Sequence, residues 1–251
     1  MNFHDIRNSR VQSMTLAALL IAVGVIFSGL FSFYLPLFGY PSLKVDLTSV
    51  ILLVAGMLLG PWYGALVGLG TDLIGYVIFS PGTYHPGITL NAVLFGLIGG
   101  LVSRWIWQPK EFRPMGYINI AIAMLLLGGG VTYVLVTDTV MAGTEAIILT
   151  STIKWSLISA MIVITLVMVA VLVWIAYKYR HLASIVQIAV FTILISEVLL
   201  NIFLMPLWIQ QLMGIPYAVG AFVRVFRAIF LIPFKLILTL ALLRVSRIKT
   251  V

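Results

Sequence analysis

The sequence predicts an all-α fold, a polytopic bundle of membrane-spanning helices. Three observations carry this expectation. Hydrophobic residues make up 62% of the 251 and charged residues only 9%, with a mean hydropathy of +1.18, whereas a water-facing domain carries about 25% charged residues. Apolar runs recur along the whole chain, near the roughly 20 residues that cross a hydrocarbon core. The six Trp and ten Tyr suit the two membrane interfaces, where rings with one polar edge settle.

The runs fall at 13–33, 47–60, 62–79, 89–107, 117–136, 153–177, 183–205 and 223–245. They predict about eight transmembrane helices in a single integral membrane domain, 1–251. The first run has no small-residue cleavage site and reads as a retained helix, not a signal peptide. Only Gly60-Pro61 separates the second and third runs. Proline ends one helix and fits the first turn of the next, so these two form a hairpin of short helices.

An even number of spans puts both termini on one side. Arg7 and Arg10 precede the first run; Arg104, Lys110 and Arg113 follow the fourth. Lys178 and Arg180 lie between the sixth and seventh, and Arg244, Arg247 and Lys249 end the chain. The positive-inside rule assigns this side to the cytoplasm. The opposite loops, 34–46, 79–90, 137–152 and 206–222, are rich in Pro, Gly and aromatics and poor in Lys and Arg. The net charge of +8 therefore reflects topology, and nucleic acid is not an expected partner.

Several chemistries are excluded. There is no cysteine, and His4, His85 and His181 lack metal-ligand spacing, so no metal site is expected. No Gly-rich loop opens onto a Lys, so the chain shows no means of hydrolysing ATP by itself. No Ser/His pair, HExxH motif or Asp dyad marks an intramembrane enzyme. A proton-coupled secondary transporter remains the rival from another class; its inverted repeats with broken midplane helices are not evident.

Five features break the apolar pattern. Ala18 and Ala22, four apart beside Ala17, give the first helix a face without bulk, where a second helix can approach closely. Lys44 and Asp46 sit where the chain enters the second helix; they mark function, or Asp46 or Thr48 caps that helix while Lys44 snorkels. The stretch 79–91 holds two Pro-Gly pairs and presents Tyr84, His85, Thr89 and Asn91. Aromatic faces beside hydrogen-bonding groups are what a flat heterocycle needs; alternatively the stretch is a connector capped by Thr89. Asp72 and Glu197 are carboxylates in apolar spans, costly unless paired or facing a cavity. Arg224 and Arg227, three apart, share a helix face. They hold an anionic ligand or neutralise Asp46 or Glu197.

These features, in this order, resemble the substrate-binding S components of energy-coupling factor (ECF) vitamin transporters. The first helix carries their Ala-Leu-Leu-Ile-Ala pattern. Gly56, Gly60-Pro61, Gly64, Gly68, Asp72 and Gly75 are similar to that superfamily's AGxxxGPxxGxxxGxxxDLxG run. The folate-specific members are the closest match: they share the stretch seen here as Ser80 to Leu90, Leu200-Asn201, and Arg224-x-x-Arg227 followed by Pro233. In that family Lys often replaces Arg227 and Phe replaces His85. Lys44-Val-Asp46-Leu-Thr-Ser looks more like riboflavin-type members. The resemblance covers 13–107, the first four core helices, and about 190–245 within the last two, 183–245. The pair at 117–177 is extra to the family's six helices.

The resemblance implies high-affinity binding of a water-soluble vitamin at the outer face, folate first, with riboflavin, cobalamin, pantothenate or lipoate as alternatives. It implies residence in a bacterial cell membrane and docking, through Ala17, Ala18 and Ala22, onto a transmembrane coupling protein. Two ATPase subunits would use ATP and Mg; no cofactor is expected in this chain. With topology it nominates Arg224 and Arg227 for a carboxylate or phosphate, and Tyr84, His85 and Trp208 for stacking. Thr89, Asn91, Asn201 and Gln211 would hydrogen-bond, while Lys44 and Asp46 would close the first loop.

Overall fold

A computed structural model describes residues 10–30, 32–37, 40–45, 47–79, 82–107, 115–142, 145–178 and 183–248. Helix α1 is Arg10–Gly29. A ribbon of β1, Phe33–Leu37, and β2, Tyr40–Val45, leads into α2, Thr48–Leu59. Then come α3, Pro61–Phe79; α4, Pro86–Trp107; and α5, Met115–Val136. A second ribbon, β3 at Thr139–Ala142 and β4 at Glu145–Ile148, leads into α6, Ser151–Lys178. Helix α7, Ala183–Ser196, passes through a π-helical segment, Glu197–Leu204, into α8, Met205–Met213; α9 is Tyr217–Ile248. Among the described residues six helical stretches are long and apolar enough to cross a membrane, and α2 and most of α4 are shorter apolar helices. The chain is an all-α membrane bundle.

Two expectations need correction. The first run was expected to stay helical to residue 33, but α1 stops at Gly29 and the chain turns into β1. In that ribbon the register shifts between Leu35 and Leu37, around Pro36, which has no N–H to give to a ladder. The expected outer loop at 206–222 is mostly helix. The wide π turns immediately precede Pro206, whose ring would collide with the carbonyl four residues back in a regular α-helix. The helix therefore continues to Met213 and carries Trp208 and Gln211 on it. Gly214, at φ 69°, ends it, with its N–H on the Gln210 carbonyl; a left-handed residue there suits glycine.

Close glycine contacts fix the directions of the first four helices. A Cβ on Gly96 of α4 would lie 1.9 Å from the Gly64 carbonyl oxygen of α3, and one on Gly56 of α2 would lie 2.0 Å from the Gly96 carbonyl oxygen. Three backbones thus meet at a point where side chains have no room. Gly64 faces Gly96 and Gly68 faces Ala92, so α3 and α4 are antiparallel; Gly24 meets Thr71 and Ser28 meets Gly75, so α1 and α3 are parallel. Leu53 lies against Gly99, so the 12-residue α2, about 18 Å long, begins well inside the bundle, not at its rim.

The core runs through α2, α7 and α9, where Val50, Ala189, Ile193, Leu194, Ile232 and Leu236 are fully buried. The α5–α6 pair is bound into this core. Asn119 Nδ2 donates to the Gln187 carbonyl at 3.0 Å, Tyr133 stacks on Phe222 with centroids 4.8 Å apart, and Gly130 admits Met161 and Val225.

Candidate functional site

At the end of the bundle where α3 passes into α4, the residues before α4 are held by its own first turn. The Gly87 N–H donates to His85 Nδ1 at 3.1 Å. With Nδ1 an acceptor, the ring proton sits on Nε2, which donates to Gln211 Oε1 of α8 at 3.0 Å. The His85 ring lies 5.6 Å from that of Trp208. Trp208 covers Gly87 so closely that a Cβ there would be 2.3 Å from the indole. The Trp208 indole N–H donates to Asn91 Oδ1 at 3.3 Å, and Asn91 Nδ2 donates to the Leu200 carbonyl at 3.2 Å and lies 3.4 Å from Met205 Sδ. Each polar edge of buried Asn91 is therefore matched, as a buried amide requires.

Beside this network Thr89 Oγ1 donates to Asp72 Oδ2 at 2.6 Å. The single hydroxyl proton is spent there, so Tyr84 OH, 2.9 Å away, is the donor in that contact. Tyr76 meets Tyr84 edge-on at 5.2 Å and donates to the Gly82 carbonyl at 2.8 Å.

A second cluster lies deeper, near the start of α2. Lys235 Nζ donates to Glu197 and, at 2.7 Å, to Ser49 Oγ; Asn201 Nδ2 donates to Glu197 Oε2 at 2.9 Å. Arg227 Nη2 is 3.8 Å from the same Oε2. Arg224, one turn nearer the rim, donates from Nη1 to the Gly220 carbonyl at 2.9 Å, and its Nε has no hydrogen-bond partner. All four charged groups are buried.

The nominated residues thus divide. His85, Asn91, Trp208 and Gln211 form one network, and Tyr84 and Thr89 adjoin Asp72. Asn201 and Arg227 belong to the Glu197 cluster, with Arg224 above it. The Lys44 backbone pairs with Tyr34 in the β1–β2 ribbon; its side chain and the whole of Asp46 lie outside the described residues. Ala18 and Ala22 are exposed on α1, but Ala17 is 7% exposed and sits in the core, because it follows buried Ser13 by one turn. Reading the residues missed Lys235 and Ser49. The signal was present for Lys235: it lies 11 residues after Arg224, three turns along the same helix face.

The family described as "ECF transporter, substrate-specific component" matches residues 12–162, more than half of the chain. An uncharacterized protein of Mycoplasma pneumoniae is 30% identical over 93 residues, 35% of this chain. The folate transporter FolT of Clostridium novyi is 24% identical over 119 residues, 47% of this chain. The matches span 19% and 66% of those two relatives. A crystal structure of FolT bound with folic acid shares the fold, with TM-score 0.51 and 21% identity over 90% of this chain and 91% of that one.

Proposed function

The chain belongs to the family of substrate-specific components of ECF transporters, and from that premise we propose that it captures a water-soluble vitamin, folate as the first candidate, for import. The observation that carries this reading is the joining of α4 to α8 through His85, Gln211, Trp208 and Asn91, which gathers an indole, an imidazole and two amides at one end of an apolar bundle. Rings stack on a planar heterocycle and amides read its edge. Tyr84 and Thr89 extend this surface, Asn201 adds a deeper amide, and Arg224 and Arg227 supply charge for an acidic group. Lys44 and Asp46 belong to the segment that closes over it. Similarity to the folate transporter of C. novyi supports folate.

The site end faces outward and both termini face the cytoplasm of a bacterial cell. Energy comes from partners: a transmembrane coupling protein that receives the Ala18/Ala22 face of α1, and two ATPases that use ATP and Mg. Mass spectrometry of small molecules released from the purified, denatured protein tests the reading. Folate in stoichiometric amount is the expected result. A protein that carries nothing, and binds none of folate, riboflavin, cobalamin, pantothenate or lipoate in calorimetry, is incompatible with it.

A further inference from the structure

A second apolar cluster lies apart from the main core, behind α8 as seen from the site. It comprises Leu149, Ile209, Ile215 and Val219, with Leu157 and Met205 packed against it. Ile209 lies about 100° round the helix from Trp208 and about 200° from Gln211, so α8 is held between two faces. One carries Trp208 to Asn91 and Gln211 to His85; the other turns Ile209 into this cluster. Met205 belongs to both, since its Sδ lies 3.4 Å from Asn91 Nδ2.

A helix of nine residues is too short to hold its direction by its own hydrogen bonds; packing on its two faces decides it. On the cluster side, Ile215 and Val219 come from the segment that follows α8. Leu149 comes from elsewhere, the α5–α6 pair, just past the β3–β4 ribbon. It is fixed from both of those helices. Its N–H donates to the Asp138 carbonyl at 2.7 Å. The Asp138 carboxylate accepts from Lys154 Nζ of α6 at 2.7 Å, and the same ammonium donates to the Leu135 carbonyl of α5 at 3.2 Å. Deeper in the bundle Asn119, Tyr133 and Gly130 tie the pair to α7 and α9, so Leu149 is anchored at both levels.

We infer that the α5–α6 pair is part of the ligand-binding apparatus, with Leu149 as a positioning residue that sets where α8 presents Trp208 and Gln211. The binding consequence rests on the vitamin-capture reading; the placement of α8 rests on the packing alone. Truncating Leu149 opens a void that α8 fills only by withdrawing from α4, and binding groups work only when held to about 0.5 Å.

Two measurements on the purified full chain test this. Hydrogen exchange read by mass spectrometry, without ligand, should show the 205–213 amides of Leu149→Ala exchanging roughly tenfold faster than in wild type, with the α2 amides unchanged. Calorimetry with folate should show binding weakened roughly fivefold, the size of one neutral hydrogen bond. Leu149→Met, which nearly conserves volume, should keep both at wild-type values. Ile158→Ala is the control. It truncates a comparably buried side chain of α6 that lies in the main core. It should lower the thermal midpoint and leave folate affinity and the 205–213 exchange as in wild type. Should Leu149→Ala fail to fold, Leu149→Val removes less and should shift both readouts in the same direction. Unchanged exchange at 205–213, unchanged folate affinity, or losses that Ile158→Ala shares would each overturn the inference. If wild type binds no folate, the folate reading falls, and the exchange measurement alone decides whether Leu149 places α8.

Discussion

Lys235 of α9 donates to the carboxylate of Glu197 in the π-helical segment, and the two side chains are 2% and 1% exposed as residues. The pair joins the last helix to the one before it, and through Ser49 to α2. Removing Lys235 leaves the buried Glu197 carboxylate with only the looser Arg227 contact and the Asn201 amide. Lys235→Met should therefore destabilise the protein by about 3–5 kcal/mol, and replacing both partners by apolar residues should recover much of that loss. Thermal unfolding in detergent reads both. Equal midpoints for wild type and Lys235→Met would show that the pair holds nothing together.

The glycine contacts predict a sharp contrast between positions. Gly96→Leu has no space, because the Gly64 carbonyl occupies the Cβ position, and the fix would have to come from backbone. Folded yield should collapse. Gly128 and Gly129 of α5 have nothing within 4 Å of an added Cβ. Alanine there should be neutral or stabilise by up to about 1 kcal/mol through helix propensity. Gel filtration of the two sets of variants distinguishes them.

In the proposed ligand site Trp208 would act through both its ring, which lies against His85, and its N–H, which donates to Asn91. Trp208→Phe keeps an aromatic face and loses the bond to Asn91, which should weaken folate binding by roughly fivefold, the size of one neutral hydrogen bond. Trp208→Ala should cost at least tenfold, since the stacking surface goes too. Calorimetry giving equal affinities for Phe and Ala would remove the ring from the site.

On α1, Ala18 and Ala17 differ by one residue and by which side of the helix they occupy. Ala18→Trp should abolish cellular uptake while leaving ligand binding of the purified protein intact. Ala17→Trp should fail earlier, by overpacking the core. Uptake that survives Ala18→Trp would show that this face is not where a partner docks.

The helices were legible because lipid imposes a crude requirement, length and apolarity, that runs such as 117–136 and 153–177 meet without ambiguity. The hairpin at Gly60-Pro61 was legible because both residues punctuate: Gly60 takes φ 91° and Pro61 opens α3. The extension of helix through 205–213 was not legible. Pro206 reads as a breaker, and only the π turns beneath it, a product of packing, accommodate its ring. The nominated residues were legible as types near one end of the bundle, but not their pairings. Trp208 and Asn91 are 117 positions apart, and nothing local in a sequence encodes such a distance. Which of the adjacent Ala17 and Ala18 is covered was not legible either, because two neighbouring alanines look alike in a sequence and only the neighbouring helix decides between them.

The π-helical segment has a consequence for how this site is inherited. Each residue of a helix advances the next by about 100°. Trp208 and Gln211 lie downstream of the eight residues 197–204, so the direction in which they point is counted from there. Deleting one residue within the segment would change the direction in which both point relative to His85 and Asn91, with no substitution at either. A relative with one residue fewer here would present these two side chains in another direction even with an identical α8.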